Sequence, residues 1–334
     1  MGDGEPRLDW LSKLVVLYMK KVLVVYYSQT GQITSVVDSI CHAMQSEEVS
    51  VSRECLRTKT DYPFPWPFFR FLDVFPESVY LDPPALMPLS IDPDADFDLV
   101  IIAYQVWYLS PSLPITAFIK SSAGREILAG RPVVTVIACR NMWLMAQEKM
   151  KLMLSDVGAK LLDNVVLVDS QSALTTFITT PRWLLTGNKG TQGGILPPAG
   201  VADEDITGAA RFGRALAAAL HRDLERFGQP LLMGLEAAKV DTRLIASEKV
   251  GNRSFMIWGK LLRKIGPQGA PLRQLCLLVY AIFLVCMIIT VVPITMMLKF
   301  MLNPLLKKGL EREREYFEAP SGSSNERMRD FSHD

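Results

Sequence analysis

The feature that most constrains the fold is a series of five short apolar runs rich in β-branched residues. The first run, Val22 to Tyr27, carries no polar residue. Such a run is typical of a strand in a parallel sheet that is covered on both faces. The later runs lie near 49–55, 98–103, 132–138 and 165–169. With the segments between them, they predict an α/β fold, a doubly wound five-stranded parallel sheet in the order 2-1-3-4-5.

The segments between the runs contain apolar residues at helical spacing. These stretches lie within 33–44, 114–120, 150–157 and 206–224. Two long insertions interrupt the alternation. Residues 57–97 are dense in proline and aromatic residues, and residues 170–203 are rich in Thr, Gly and Pro. Loops this long in a compact domain are usually functional or disordered, and the aromatic content of the first argues against disorder.

Composition excludes several classes of function. The net charge is +1, so no bulk field attracts nucleic acid. The five cysteines contain no CxxC pair and only three histidines occur. We therefore expect neither a disulfide framework nor a metal site.

The loop after the first strand is the strongest candidate for a binding site. In this strand order, ligands bind at the carboxyl ends of the first and third strands. Hydroxyls, backbone amides and a helix N-terminus attract phosphate, and this loop supplies all three. It lacks both the lysine of a nucleoside-triphosphate loop and the GxGxxG of a dinucleotide loop. The loop Ser28-Gln29-Thr30-Gly31-Gln32 therefore suits the phosphomonoester of flavin mononucleotide (FMN), with an ordinary capped turn as the alternative.

Over roughly residues 20–226 the chain resembles the flavodoxin-like superfamily, which includes flavodoxins and quinone reductases. The first loop of that family has the form hydroxyl-x-Thr-Gly-x-Thr, which Ser28, Thr30 and Gly31 match. Ile33 stands where the last hydroxyl is expected, so the resemblance implies that the amides of Gln32 and Ile33 bind the phosphate there.

The same resemblance implies roles for the loops after the third and fourth strands. The loop Gln105-Val106-Trp107-Tyr108 would contact the flavin ring, with Trp107 as its wall; the alternative is a core position. The loop Cys139-Arg140-Asn141-Met142 would lie along the polar edge of the ring. There Asn141 would bond the ring, and Arg140 would stabilise negative charge on reduced flavin. For Cys139 we prefer the alternative, a small buried residue. Tyr104 and Tyr108 are candidate proton donors.

Leu275 to Leu298 is a stretch of 24 residues without a charge. As a helix it would be about 36 Å long, enough to cross a bilayer, whose hydrocarbon is about 30 Å thick. Both flanks are basic, so the positive-inside rule gives no orientation. A single span and a re-entrant hairpin both stay open, with a buried core helix as the third alternative. We predict membrane association, with the flavodoxin-like domain in the cytoplasm.

A closer resemblance is to the bacterial dialkylresorcinol-condensing family, through YYSQTGQ, PFPWPFF, CRNMW, the apolar segment and YFEAPSG. It implies an FMN-dependent oxidoreductase that aromatises a cyclohexenone-type, alkyl-bearing precursor. Its partners would be a lipophilic small molecule, the membrane, NAD(P)H as reductant and a second copy in a homodimer. The alternatives are a flavodoxin-type electron carrier, an NAD(P)H:quinone reductase and a flavin-free binding module.

We expect five regions along the chain. These are an N-terminal extension (1–18), the flavodoxin-like domain (19–227), a basic connector (228–273), a membrane segment (274–302) and a polar tail (303–334).

Overall fold

A computed structural model of the protein describes residues 19–190 and 197–331. The predicted N-terminal extension lies outside the described residues, as do residues 191–196 of the second insertion.

The sheet confirms the predicted class and strand order. It consists of β1 (Lys20–Tyr26), β2 (Val49–Cys55), β3 (Leu99–Tyr104), β4 (Pro132–Cys139) and β5 (Lys160–Val168). All neighbours are parallel, in the order β2-β1-β3-β4-β5. The fifth strand begins at Lys160, five residues before the run at 165–169 that predicted it.

Successive side chains of β1 point to opposite faces of the sheet, as the geometry of a strand requires. Val22 and Val24 face one core, and Leu23 and Val25 face the other. The first core is closed by α1 (Gln32–Met44) and α9 (Ala210–Leu220), with the short α8 (Asp203–Gly208) before it. The second is closed by α4 (Leu113–Lys120), α5 (Ser122–Leu128) and α6 (Leu144–Asp156). The carboxyl edge of the sheet therefore lies between two helical layers.

The insertions and the connector contain helices that the sequence analysis did not assign. The first insertion forms α2 (Phe68–Asp73) and α3 (Phe75–Val79), and the second forms α7 (Ala173–Thr186). The connector forms α10 (Thr242–Ile265). In α7 the Ser172 hydroxyl accepts a hydrogen bond from the Thr175 amide, and Gly187 ends the helix in the left-handed conformation.

The apolar segment belongs to one helix, α11 (Pro271–Glu318), followed by α12 (Met328–Phe331). Residues Pro271–Thr290 are long and apolar enough to cross a membrane, with a mean hydropathy of 2.4 and only 17% of that window buried. Low burial argues against the reading as a core helix, although one such helix is weak evidence for a membrane protein.

The residues after α11 return to the sheet. The Ser321 hydroxyl donates to Asp163 Oδ1 and accepts from the Asn164 amide on β5, both at 2.8 Å. Gly322 O accepts from the Ala238 amide at 3.0 Å, and Ala237 O accepts from the Val166 amide at 2.8 Å. The tail and residues 237–238 therefore pack along the edge of the sheet formed by β5.

Candidate functional site

The loop after β1 reaches the N-terminus of α1 at the carboxyl edge. Gly31 occupies the left-handed region with φ of 84°, and a Cβ built there would meet nothing within 4 Å. The next amides, of Gln32 and Ile33, begin the helix and have no acceptor within it. The half-buried Thr30 hydroxyl makes no hydrogen bond within the described residues. Donors for an anion are thus exposed together, as the loop's composition predicts.

Other side chains of the loop hold it in place. The Ser28 hydroxyl accepts from the Thr34 amide at 3.3 Å, as in a capped turn. Gln29 Nε2 donates to Pro63 O at 2.9 Å, and its Oε1 accepts from Trp66 Nε1 at 3.0 Å. Gln32 Oε1 accepts from the Val201 amide at 3.3 Å. Both glutamines therefore tie the loop to the insertions, which leaves their backbone amides for the ligand.

A cavity of about 400 Å³ opens beside this loop. It is lined by Thr30, Gly31 and Gln32 and, across from them, by Trp183 and Lys189 of the second insertion, with α8 on the outer side. Lys189 Nζ lies 5.9 Å from the centre of the Trp183 ring. The insertion thus brings a cation and an indole to the phosphate loop, a contribution that sequence reasoning missed because an isolated lysine in a Gly-rich stretch carries no pattern.

The loop after β3 forms a two-residue hairpin between Val106–Trp107 and Ser110–Pro111. Its turn residues, Tyr108 and Leu109, both have positive φ, of 50° and 56°. Non-glycine residues seldom adopt this conformation, which is costly and concentrates at functional sites.

The half-buried Trp107 belongs to an aromatic cluster. Its ring centre lies 5.9 Å from Tyr27, 4.9 Å from Tyr62 and 5.8 Å from Trp66, each nearly edge-on. Two of these partners come from the first insertion. The predicted flavin wall is therefore already braced on one side by the protein's own rings.

The two tyrosines proposed as proton donors lie away from the open cavity. Tyr104 is fully buried and its hydroxyl donates to Gln147 Oε1 at 2.7 Å. The Tyr108 hydroxyl donates to Phe71 O at 2.6 Å. Burial raises the pKa of both phenols well above the usual value. The structure places both hydroxyls in internal hydrogen bonds, and neither is brought to the phosphate loop.

The loop after β4 carries a second backbone outlier and a buried amide. Met142 has φ of 55°. The Arg140 guanidinium lies 5.2 Å from the centre of the Phe177 ring on α7, and burial lowers its pKa. Cys139 is half-buried, and burial raises the pKa of its thiol. The buried Asn141 Oδ1 has no hydrogen-bond partner among the described residues.

Behind this loop lies Glu248 of α10, which is fully buried. Its Oε1 accepts from the Met145 amide at 2.7 Å, whereas its Oε2 has no partner within the described residues. Burial raises the pKa of this carboxyl to about 8.

The residues present fit FMN at its phosphate end and fit its ring in part. At the phosphate end, an open cradle at Gly31 and the unbonded Thr30 hydroxyl face a cavity. At the ring end, the oxygens Gln105 Oε1 and Asn141 Oδ1 are buried without a partner, and buried polar atoms are normally satisfied. They belong to the two loops expected to border the ring. The other side of the ring site is occupied by the aromatic cluster around Trp107. No group of His, Cys, Asp and Glu among the described residues is arranged to hold a metal ion.

No protein-family profile matches the sequence, and no curated protein matches it. Among solved structures, a flavoprotein in complex with FMN from Lactobacillus acidophilus NCFM is similar, at 15% identity and a TM-score of 0.37 over 44% of this chain and 93% of that one. A flavodoxin from the domain Archaea shares 13% identity at a TM-score of 0.33, over 60% and 98%. A flavone reductase shares 16% identity at a TM-score of 0.34, over 63% and 65%. Since these identities and TM-scores are low, the assignment of the fold rests on the observed strand order and not on the similar structures.

Proposed function

We propose that the protein is a membrane-associated, FMN-dependent oxidoreductase that acts on a lipophilic ring substrate. The observation that carries the proposal is the cradle of Thr30, Gly31 and Gln32 at a helix N-terminus, open to a cavity of about 400 Å³. Hydroxyl and amide donors at such a position favour a phosphate group. The unbonded amide oxygens of Gln105 and Asn141 support a polar ring edge beside it.

An aromatic chain supports a lipophilic substrate. Starting at the hairpin after β3, consecutive rings lie with centres 5.1–5.9 Å apart until they reach α11. The rings in this order are Trp107, Trp66, Phe71, Tyr108, Phe75 and Tyr280. Trp66, Phe75 and Tyr280 in this chain are buried. The chain therefore joins the predicted flavin wall to the apolar helix by continuous aromatic packing, and this apolar link is what supports a lipophilic substrate.

FMN, when bound, supplies a hydride acceptor or donor. The chain's own residues would orient it: the Thr30 hydroxyl and the amides of Gln32 and Ile33 would bind the phosphate, Lys189 would be a counter-charge, and Arg140 would lie near the ring. The aromatic rings of the first insertion exclude water from the apolar side. The finer proposal is that the substrate is a cyclohexenone-type, alkyl-bearing precursor aromatised in dialkylresorcinol lipid biosynthesis. This oxidation would pass two electrons to the flavin, and a quinone, oxygen or NAD(P)+ would then accept them.

The first test is the visible spectrum of the detergent-solubilised protein after reconstitution with FMN. We expect flavin absorbance that coelutes with the protein. Thr30→Val should weaken FMN binding about 10-fold or more, because a hydrogen bond to a charged group contributes about 1.5–3 kcal/mol. The exposed Thr60→Val is the matched control and should bind as the parent does. Equal affinity of all three proteins, or no binding at all, contradicts the flavin site.

Single turnover with candidate cyclohexenones and quinones separates an enzyme from a carrier. Oxidation of the ring substrate with matching flavin reduction supports the enzyme. A protein that binds FMN, stabilises a one-electron reduced form and turns over none of these substrates is a flavodoxin-type carrier.

A further inference from the structure

The apolar helix α11 is held to the domain at both of its ends. At its start, Arg273 is buried and its guanidinium bonds Asp73 Oδ1 and Glu77 Oε2, both at 2.6 Å. At its end, the Glu318 carboxylate accepts from the Val240 amide at 3.2 Å, and Ser321 bonds β5. A helix that crossed a bilayer would place its two ends on opposite sides, about 30 Å of hydrocarbon apart. Because these contacts hold both ends of α11 against the same domain, both ends must lie on the same side of a bilayer.

Contacts with α10 show that α11 turns back. Near its start the Tyr280 ring lies 6.3 Å from Phe255, and near its end Phe317 lies 5.6 Å from Lys249 Nζ. Lys249 also pairs with Glu313 at 2.8 Å. Since Phe255 and Lys249 are less than two turns apart on one helix, the two ends of α11 approach neighbouring points on α10.

A straight helix cannot satisfy both contacts. A straight helix would place Tyr280 and Phe317 about 55 Å apart. The contacts Tyr280–Phe255 and Lys249–Phe317, together with the rise of α10 between Phe255 and Lys249, allow at most about 40 Å even with every side chain extended. The axis of α11 must therefore turn through roughly a right angle or more, which exceeds the gentle curvature of ordinary helices. Proline is the usual cause of sharp kinks, and Pro293 and Pro304 lie between the two contacts in the sequence.

The first limb of α11 presents an apolar surface that no described residue covers. Its large exposed side chains, each at least 36% exposed, are Leu272, Leu275, Leu278, Val279, Ile282, Phe283, Val285 and Ile289. The adjacent helix α10 adds Val250, Ile257 and Leu261, spaced to lie on one face. Lysines flank the uncharged segment on both sides in the sequence, Lys260 and Lys264 before it and Lys299, Lys307 and Lys308 after it. Basic residues on both flanks are what the positive-inside rule predicts if both flanks stay on one side.

We propose that α11 enters the bilayer as a re-entrant helical hairpin, so that the protein is monotopic and its C-terminal tail stays on the same side as the flavodoxin-like domain. The proposal rests on the membrane attachment in the proposed function and is independent of the flavin. The occupant of the apolar surface is lipid. Its hydrocarbon covers the exposed limb, and its anionic headgroups meet the flanking lysines.

The test compares labelling of two new cysteines in intact spheroplasts and in inverted membrane vesicles. Glu326→Cys lies in the exposed part of the tail, and Glu47→Cys lies on the domain and is also exposed. Both are made in a Cys55→Ser background, since Cys55 is exposed, and the parent without either new cysteine sets the background signal. A membrane-impermeant maleimide should label both positions from the same side with yields equal within twofold.

Labelling of the two positions from opposite sides would overturn the proposal, because it would require a single crossing. An alkaline carbonate wash supplies the second readout. The protein should remain in the membrane pellet, and its release as a soluble monomer or dimer would overturn insertion. Neither readout uses FMN or turnover, so a failure here is separate from a failure of the flavin site.

Discussion

The free energy of unfolding of this protein should depend on pH through one buried carboxyl group, that of Glu248. In the folded protein its pKa is raised by burial from the ordinary value of 4.5 to about 8. Because the folded value is the higher one, the stabilisation is fully present below pH 4.5 and is lost as the pH rises through 8. Asp163, whose pKa burial raises to about 6, acts similarly at lower pH. Lys149, whose pKa burial lowers to about 8, contributes with the opposite sign at higher pH. Between pH 6.5 and 7.5 the contribution of Glu248 is therefore the dominant one.

Within that window the folded protein holds the proton and the unfolded chain does not. The free energy of unfolding should fall by about 1.4 kcal/mol for each unit of rising pH. For a protein of this size that corresponds to about 2 °C in the thermal midpoint. Glu248→Gln keeps an oxygen to accept from the Met145 amide but cannot ionise, so this slope should disappear.

The assay is tryptophan fluorescence during heating in detergent, in half-unit pH steps. The exposed Glu47→Gln is the matched control and should keep the slope of the parent. If Glu248→Gln melted with the same dependence on pH as the parent, the carboxyl would be ionised or solvated in the folded state, and the reasoning from burial would be refuted.

Two further predictions concern the attachment of α11. Arg273→Met should lower the thermal midpoint by about 4–7 °C, because breaking a buried ion pair costs about 3–5 kcal/mol and here leaves Asp73 and Glu77 facing an apolar group; an unchanged midpoint would show that these charges are solvated. Ser321→Ala should cost about 1–3 kcal/mol, since it leaves Asp163 and the Asn164 amide each short of a partner. Hydrogen exchange of the β5 peptide should accelerate in that variant, and unaltered exchange would contradict the docking of the tail.

The sheet was predictable because its signal is local. A continuous apolar strand such as Val22–Tyr27, followed by a polar turn and a helical period, fixes a βα unit without reference to the rest of the chain. The turn at 28–32 and the helix that follows it were predictable for the same reason. The start of β5 was not, because Asp163 and Asn164 interrupt its apolar pattern. Those polar residues are buried because distant segments satisfy them: the Leu231 and Leu232 amides bond Asp163, and Ser321, more than 150 residues later, bonds both.

The composition of the sites was harder to predict where it depends on distant segments. Nothing in the spacing of Tyr62 and Trp66 indicates that they brace Trp107, and nothing in the stretch around Lys189 indicates that it faces Gly31. The Thr, Gly and Pro content of the second insertion also obscured α7. Its capping residues, Ser172 and Gly187, were the available signal for a helix.

The docking of the tail has a consequence for biosynthesis. During translation the five strands are synthesised long before Ser321. Until Ser321 has been made, the Asp163 carboxylate on β5 lacks one of its hydrogen-bond donors. The last piece of the sheet edge arrives only after the apolar hairpin has been synthesised. A nascent chain truncated before Ser321 would therefore carry an α/β domain whose β5 edge is unfinished.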